Sequence, residues 1–176
     1  MDHYCIVIKN LVQFSLAIGY LKAICSFWQA SCVMMTTKEK TGLATIGSCS
    51  DAVIAKYACF ACAINLQKIS ELLEKAWMFA IALDMSTHMS TSYLDIRICL
   101  HLDHTSIVNL HVLAIPVFNR HTGLVIFEVA SKALDVLCKS WRDVVIGVLT
   151  DGEKKMTGRV SVVATRFQQV SKPEFI

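Results

Sequence analysis

Proline and glycine are scarce in this chain, at two and seven residues of 176, and neither gathers into a run. That excludes collagen-like, low-complexity and extended-linker architectures, all of which need one or both in bulk. Charge is scarce too. Asp, Glu, Lys and Arg make up 18% of residues, against about 25% in an ordinary soluble domain. The net charge of +3 and pI near 8.4 fall short of the strong basic bias of a dedicated nucleic-acid footprint. Zinc-ligand spacing is missing as well. Cys59-x-x-Cys62 has the form of half a site, but no second CxxC or HxxxH follows at a suitable distance. What the chain has in surplus is apolar surface, with 55% hydrophobic residues and a mean hydropathy of +0.52. Such a chain buries a core and is not disordered. At this length it forms one domain, and the excess grease calls for a partner, a membrane or the remainder of a larger core.

The eight cysteines, at 5, 25, 32, 49, 59, 62, 99 and 138, are irregularly spaced and mostly sit in apolar runs. They read as buried free thiols in a reducing compartment, which favours a nuclear or cytoplasmic protein over a secreted one. Trp28, Trp77 and Trp141 lie in apolar runs and read as core.

Between Asn10 and Thr37 the only charge is Lys22. Residues 1–35 read as helices seeking a core or a partner, with a membrane span or a secretory targeting segment as alternatives. Lys22 and the scattered Gln and Ser residues count against a span, and the apolar start counts against a signal. Residues 36–50 are polar and read as a linker. Ser50-Asp51 can cap a helix that continues with Val53, Ile54, Tyr57, Phe60, Ile64 and Ile69 to about Lys75. The organisation expected is an apolar helical region with a linker over 1–50, then a domain over 51–176.

Trp77 to Leu83 is continuously apolar, as in a strand buried on both faces, and Asp84 ends it. Tyr93 to Leu102 alternates, with Leu94, Ile96, Ile98 and Leu100 on one face and Asp95, Arg97, Cys99 and His101 on the other. That is a half-covered strand. It pairs in a hairpin with Ile107 to Ile115, which Pro116 closes. An amphipathic helix over Leu124 to Leu137, a strand over Trp141 to Leu149 and a helix over Glu153 to about Gln169 complete the order. Strand, strand, strand, helix, strand, helix predicts an α/β protein whose mixed sheet is covered by helices.

Asp84 and Asp151 each follow a fully apolar strand. If the crossover sets those strands side by side and parallel, both carboxylates emerge at one sheet edge, a ligand-binding position in α/β sheets. Paired carboxylates repel until a divalent cation bridges them. Mg²⁺ suits such oxygen ligands and, with a third carboxylate, two metals can clamp the oxygens of a phosphodiester. Glu128 and Glu153 read as solvated helix positions instead. His101, Asp103 and His104 read as exposed turn residues and not as a metal cluster. Lys154, Lys155, Arg159 and Arg166 could stripe the last helix for phosphates.

The segments Asp84-Met-Ser-Thr, Tyr93-Leu-Asp-Ile-Arg97, Val108-Asn-Leu-His111, Phe118-Asn-Arg-His-Thr-Gly123 and Thr150-Asp-Gly through Arg159 together resemble the catalytic domain of hAT-superfamily transposases. The resemblance spans residues 77–159. It implies an RNase H-like fold, here incomplete, with Asp84 and Asp151 as the first two of three catalytic acids. It also implies Mg²⁺ or Mn²⁺ as cofactor and DNA as partner, cut and rejoined. Thr122 would then cap a helix and His121 anchor a loop. The sequence departs from the family at Glu153, Lys154 and Lys155, where a small residue and an asparagine are usual, and Lys155 would compete with metal at Asp151. The family's next strand, its catalytic glutamate and its dimerisation region would follow Ile176. The expectation is a truncated or domesticated transposase fragment, catalytically incompetent alone, with weak metal affinity and self-association through an open sheet edge. A nucleic-acid-binding or protein-interaction module without catalysis is the alternative.

Overall fold

The computed structural model describes residues 6–102, 106–118, 122–150 and 163–172. The chain divides into two units, Met1–Asn65 and Leu66–Ile176.

The first unit is helical. Helix α1 (Leu11–Lys22) starts where the Asn10 side chain accepts the Gln13 N–H at 2.9 Å. At 12 residues it is too short to span a bilayer. Helix α2 (Phe27–Thr41) opens with a reciprocal capping box. Gln29 N–H donates to Ser26 Oγ at 3.2 Å, and Ser26 N–H donates to Gln29 Oε1 at 2.8 Å. It runs six residues into the expected linker. The reason is local: Thr36, Thr37 and Thr41 each donate their hydroxyl to the carbonyl four residues back, so polarity here does not oppose helix. Gly42, at φ +65°, supplies the left-handed cap that ends it. A 3₁₀ turn over Ala44–Ile46 then buries Ile46, and Cys49 is buried after it. These residues are part of a core with Ala17, Ala30, Met34 and Ile54, so the linker reading is corrected.

Helix α3 (Asp51–Lys75) is capped as the sequence suggests, with Ser50 Oγ accepting from Val53 N–H at 3.4 Å. It runs across the boundary between units, with Ile54 in the first core and Ile69 and Leu73 in the second. Among the described residues it is the one helix long and apolar enough to cross a membrane, by length and composition only. Its Cys59 and Cys62 are exposed, contrary to the expectation of buried thiols, whereas Cys49 and Cys138 are buried.

The second unit is mixed α/β. Strands β1 (Phe79–His88), β2 (Thr91–Leu102), β3 (Ser106–Val117) and β4 (Val145–Thr150) form one sheet in the order β3-β2-β1-β4. The first three are antiparallel neighbours, and β4 lies parallel to β1. Helix α4 (Gly123–Leu137) makes the crossover. It starts at Thr122, whose hydroxyl accepts the Val125 N–H at 3.3 Å. A short helix α5 (Trp141–Val144) leads into β4, and α6 (Val163–Val170) follows.

Three boundaries differ from the expected ones. Strand β1 does not end at Asp84. It continues to His88 and turns through Met89 and Ser90, both at positive φ, as a two-residue hairpin whose twist suits the strands on either side. Pro116 does not close β3 but lies within it opposite Tyr93. There β3 is an outer strand of the described sheet, and a missing N–H on its free side breaks no ladder bond. Trp141 begins a helical turn and not the strand. Its ring is fully buried, donating from Nε1 to Asp135 Oδ1 at 2.8 Å and meeting Phe167 edge-on at 5.4 Å between centroids. Trp28 and Trp77 are not core, at 68% and 67% exposed. Helix α2 buries Ala30, Ser31 and Met34 instead, and Trp77 falls in the bend between α3 and β1.

One face of the sheet carries the core. Phe79, Ile81 and Leu83 of β1 stand beside Leu100, Ile98 and Ile96 of β2, all buried and packed in one cluster with α4 residues Ile126, Ala130 and Leu134. The other face is the half-covered one expected for β2. It extends to β1, where Ala80 and Ala82 are only half-buried, so that strand is not buried on both faces.

Candidate functional site

The open face of the sheet gathers the polar side chains. On β1, alternation puts Ala80, Ala82 and Asp84 on this face, with Asp84 exposed. Each has a partner on β2: Ala80 faces Cys99, Ala82 faces Arg97, and Asp84 faces Asp95. Carboxylates set directly opposite one another destabilise a strand pair. Here the repulsion is relieved from one side, because Asp95 is paired with Arg97 and hydrogen-bonded to His111. Its Oδ2 lies 3.0 Å from both Nε and Nη2 of Arg97, and its Oδ1 is hydrogen-bonded to Nε2 of His111.

His111 reaches this face because β3 carries a bulge. Ile96 pairs with Leu113 but Arg97 pairs with His111, so Val112 is the extra residue. The bulge leaves Val112 buried and His111 largely exposed beside Asp95. Re-aiming one side chain is a recurrent use of such irregularities. Between β1, β2 and β4 the surface forms an open depression of about 230 Å³, lined by Ala82, Leu83, Asp84, Arg97, Leu149 and Thr150. Its shape follows from size: Ala82 of β1 is flanked by the long Arg97 on one side and Leu149, 60% exposed, on the other.

Of the sequence-predicted site residues, Asp84 is at this depression. Strands β1 and β4 are adjacent and parallel, as the metal reading requires, and Leu83 is the partner of Thr150. Asp151, Glu153, Lys154, Lys155 and Arg159 lie outside the described residues, as do Asp103, His104 and His121. Arg166 is half-buried on α6, whose Val163 and Phe167 are in the core. Glu128 is exposed on α4, as read. Among the described residues no group of three or more His, Cys, Asp or Glu side chains could hold a metal ion. The strand carrying Asp95 and Arg97 was legible in the sequence, but their site was not. His111 lies 16 residues from Asp95, and the bulge that joins them leaves no mark in the hydrophobic pattern.

Two of the larger cavities carry less chemistry. In the first unit a cleft of about 760 Å³ is bounded by Trp28, Met35, Lys38 and Cys49, among others. Burial pushes the Cys49 thiol up, away from the reactive thiolate form. In the second unit an apolar groove of about 580 Å³ runs between α3, β3 and α4, along Leu66, Ile115, Val129 and Leu137.

No protein-family model matches the chain, and no solved structure matches it.

Proposed function

We propose that the second unit derives from an hAT-like transposase core of RNase H-like fold, and that it retains DNA binding and weak divalent-metal binding without strand cleavage of its own. The observation that carries this reading is the parallel register of β1 and β4. Leu83 and Thr150 are partners, and each is followed in sequence by an aspartate, Asp84 and Asp151. The resemblance implies a metal held by these two acids, and Asp84 lies next to the strand position at which β4 ends. The sheet order β3-β2-β1-β4, three antiparallel strands and a helical crossover to a parallel fourth, supports the same reading.

Asp84 suits a hard cation. It is an exposed carboxylate with no cationic partner among the described residues, beside an Asp95 whose charge is already matched. Mg²⁺ or Mn²⁺ held there would supply charge neutralisation at a phosphodiester oxygen. Asp84 and Asp151 would hold it, and Lys155 would weaken it. Nuclear or cytoplasmic residence follows if DNA is the partner.

Titrating the full chain with Mn²⁺, followed by the loss of the free-ion paramagnetic resonance signal, tests this. The expected dissociation constant is on the order of 10⁻³ M, rising further in Asp84→Asn and in Asp151→Asn. Supercoiled plasmid should stay intact with Mn²⁺ present. Metal binding that survives both substitutions, or plasmid nicking abolished by Asp84→Asn, would overturn the reading.

A second reading rests on β4, which is paired on one side only in the described sheet and exposes Leu149. An unpaired strand edge recruits other chains. Self-association through this edge would appear as a concentration-dependent sedimentation coefficient that Leu149→Lys abolishes.

A further inference from the structure

We infer that Arg97, held by an Asp95 that His111 steadies in turn, is a binding residue for a backbone phosphate of a DNA strand lying in the depression beside Asp84. This rests on the DNA reading proposed above and names a group that the transposase resemblance does not assign.

Three observations carry it. The first is pre-organisation. Asp95 grips Arg97 through Nε and Nη2, both 3.0 Å from a single oxygen, while its other oxygen is taken by His111. An arginine side chain is ordinarily costly to order, and one already held loses less freedom when it binds. Asp95 is 14% exposed at its side chain whereas Arg97 is 58% exposed, so the grip is sheltered and the guanidinium is presented. Among the described residues Asp95 is the only partner of Arg97, and the rest of the planar donor fork points to no other acceptor. That fork matches the geometry of phosphate.

The second is room. Arg97 is the strand partner of Ala82, and the depression it lines with Asp84 has an alanine where a longer side chain would fill the floor. The third is the pairing of opposite charges within one depression. Arg97 offers donors to one phosphate oxygen while Asp84 would reach another only through a cation. The arrangement therefore discriminates for a phosphodiester over a simple carboxylate. The bulge at Val112 makes sense in these terms, since it delivers the histidine that steadies Asp95.

The test uses the full chain and a fluorescently labelled DNA duplex of mixed sequence, with affinity measured across a salt series. Wild type should bind with a negative dependence of log affinity on log salt. Arg97→Gln should weaken binding about tenfold, as loss of a charge-assisted hydrogen bond does, and lower the salt slope by about 1. Arg97→Lys should recover the slope but only part of the affinity. Ala82→Leu, which keeps every charge and fills the floor, should also weaken binding about tenfold. Unchanged melting temperatures verify that the variants fold. If wild type binds but Arg97→Gln matches it in affinity and slope, the assignment of Arg97 fails and the DNA reading stands. If Arg97→Gln weakens binding and Ala82→Leu does not, Arg97 acts as distant charge and the site fails. If wild type shows no salt-dependent DNA binding, both fall.

Discussion

The two units are held together by opposite means, and Gln13 and Trp141 show the contrast. Gln13 is a buried amide in a small helical core. Its Nε2 donates to the carbonyls of Ile46 and Ser48 at 2.9 and 3.0 Å, and its Oε1 accepts the Tyr57 hydroxyl at 2.7 Å. One side chain thus ties α1 to the 3₁₀ turn and to the start of α3. Trp141 is a buried ring in a core of strands and helices, touching Phe167 edge-on and capped by Arg142 stacked 4.3 Å from its centroid. Where apolar area is small, a satisfied polar network helps to specify the fold, and each of its bonds matters more. Where apolar area is large, packing dominates and polar contacts trim the edges.

Truncating the ring should give the largest effect. Trp141→Ala removes a fully buried side chain and should cost about 3–5 kcal/mol, read from urea unfolding followed at the second unit. A loss below about 1 kcal/mol would mean that this core collapses freely around a missing ring, and the contrast would vanish. Gln13→Ala comes next. It strands two carbonyls and a hydroxyl, and should cost about 2 kcal/mol. Hydrogen exchange should locate that loss in α1 and the 3₁₀ turn, leaving the amides of β1 and β2 protected. Exchange that accelerates equally in both units would break the comparison.

The hairpin between β1 and β2 supplies a smaller effect with the opposite sign. Ser90 sits at φ +64°, where a side chain is strained, and Ser90→Gly should raise stability by about 1 kcal/mol. A decrease would mean the hydroxyl is used in the turn.

How much of this was legible follows from range and period. The alternation Leu94, Ile96, Ile98, Leu100 gave β2 and its faces, because a period of two needs only neighbours in sequence. Asp51 at a helix start was visible for the same local reason, whereas the Thr122 cap came with the family resemblance. The extent of β1 beyond Asp84 was not visible: Ser86, Thr87 and His88 are polar and exposed, so they show no apolar alternation although β2 continues beside them. Nor was the helix over 36–41, where threonine hydroxyls bond backward within the turn. Trp28 and Trp77 were misread because apolar neighbours in sequence do not fix which side of a helix or bend is inward. Of the candidate site, the adjacency of β1 and β4 was legible from strand, helix, strand order. The Asp95–Arg97–His111 group was not, since it depends on a one-residue bulge between strands.

The smallest effect should separate the units by pH. In the second unit, Arg142 beside Asp135 donates from Nη1 to Oδ1 at 2.6 Å, and Trp141 Nε1 donates to the same oxygen. These two hydrogen bonds, that of Arg142 foremost, hold the Asp135 carboxyl below the usual carboxylate range, against a small opposing push from burial. A carboxylate depressed in the folded chain contributes stability that is fully present above the unfolded value, about 3.9. As pH falls below that value the unfolded chain takes up the proton first, so stability declines until the folded carboxylate is protonated too. Both side chains are nearly half-exposed, so water and salt screen the pair and the decline should be slighter than that of any substitution above. Asp135→Asn should flatten it, in a comparison of melting curves of the two proteins between neutral pH and pH about 3. The first unit offers no matching carboxylate among the described residues, since Gln13 and Tyr57 meet as neutral groups there. Its exchange protection should therefore stay level over the same range. An acid-induced loss centred on α1 and α2, with Trp141 still buried by fluorescence, would reverse the assignment of polar dependence between the units.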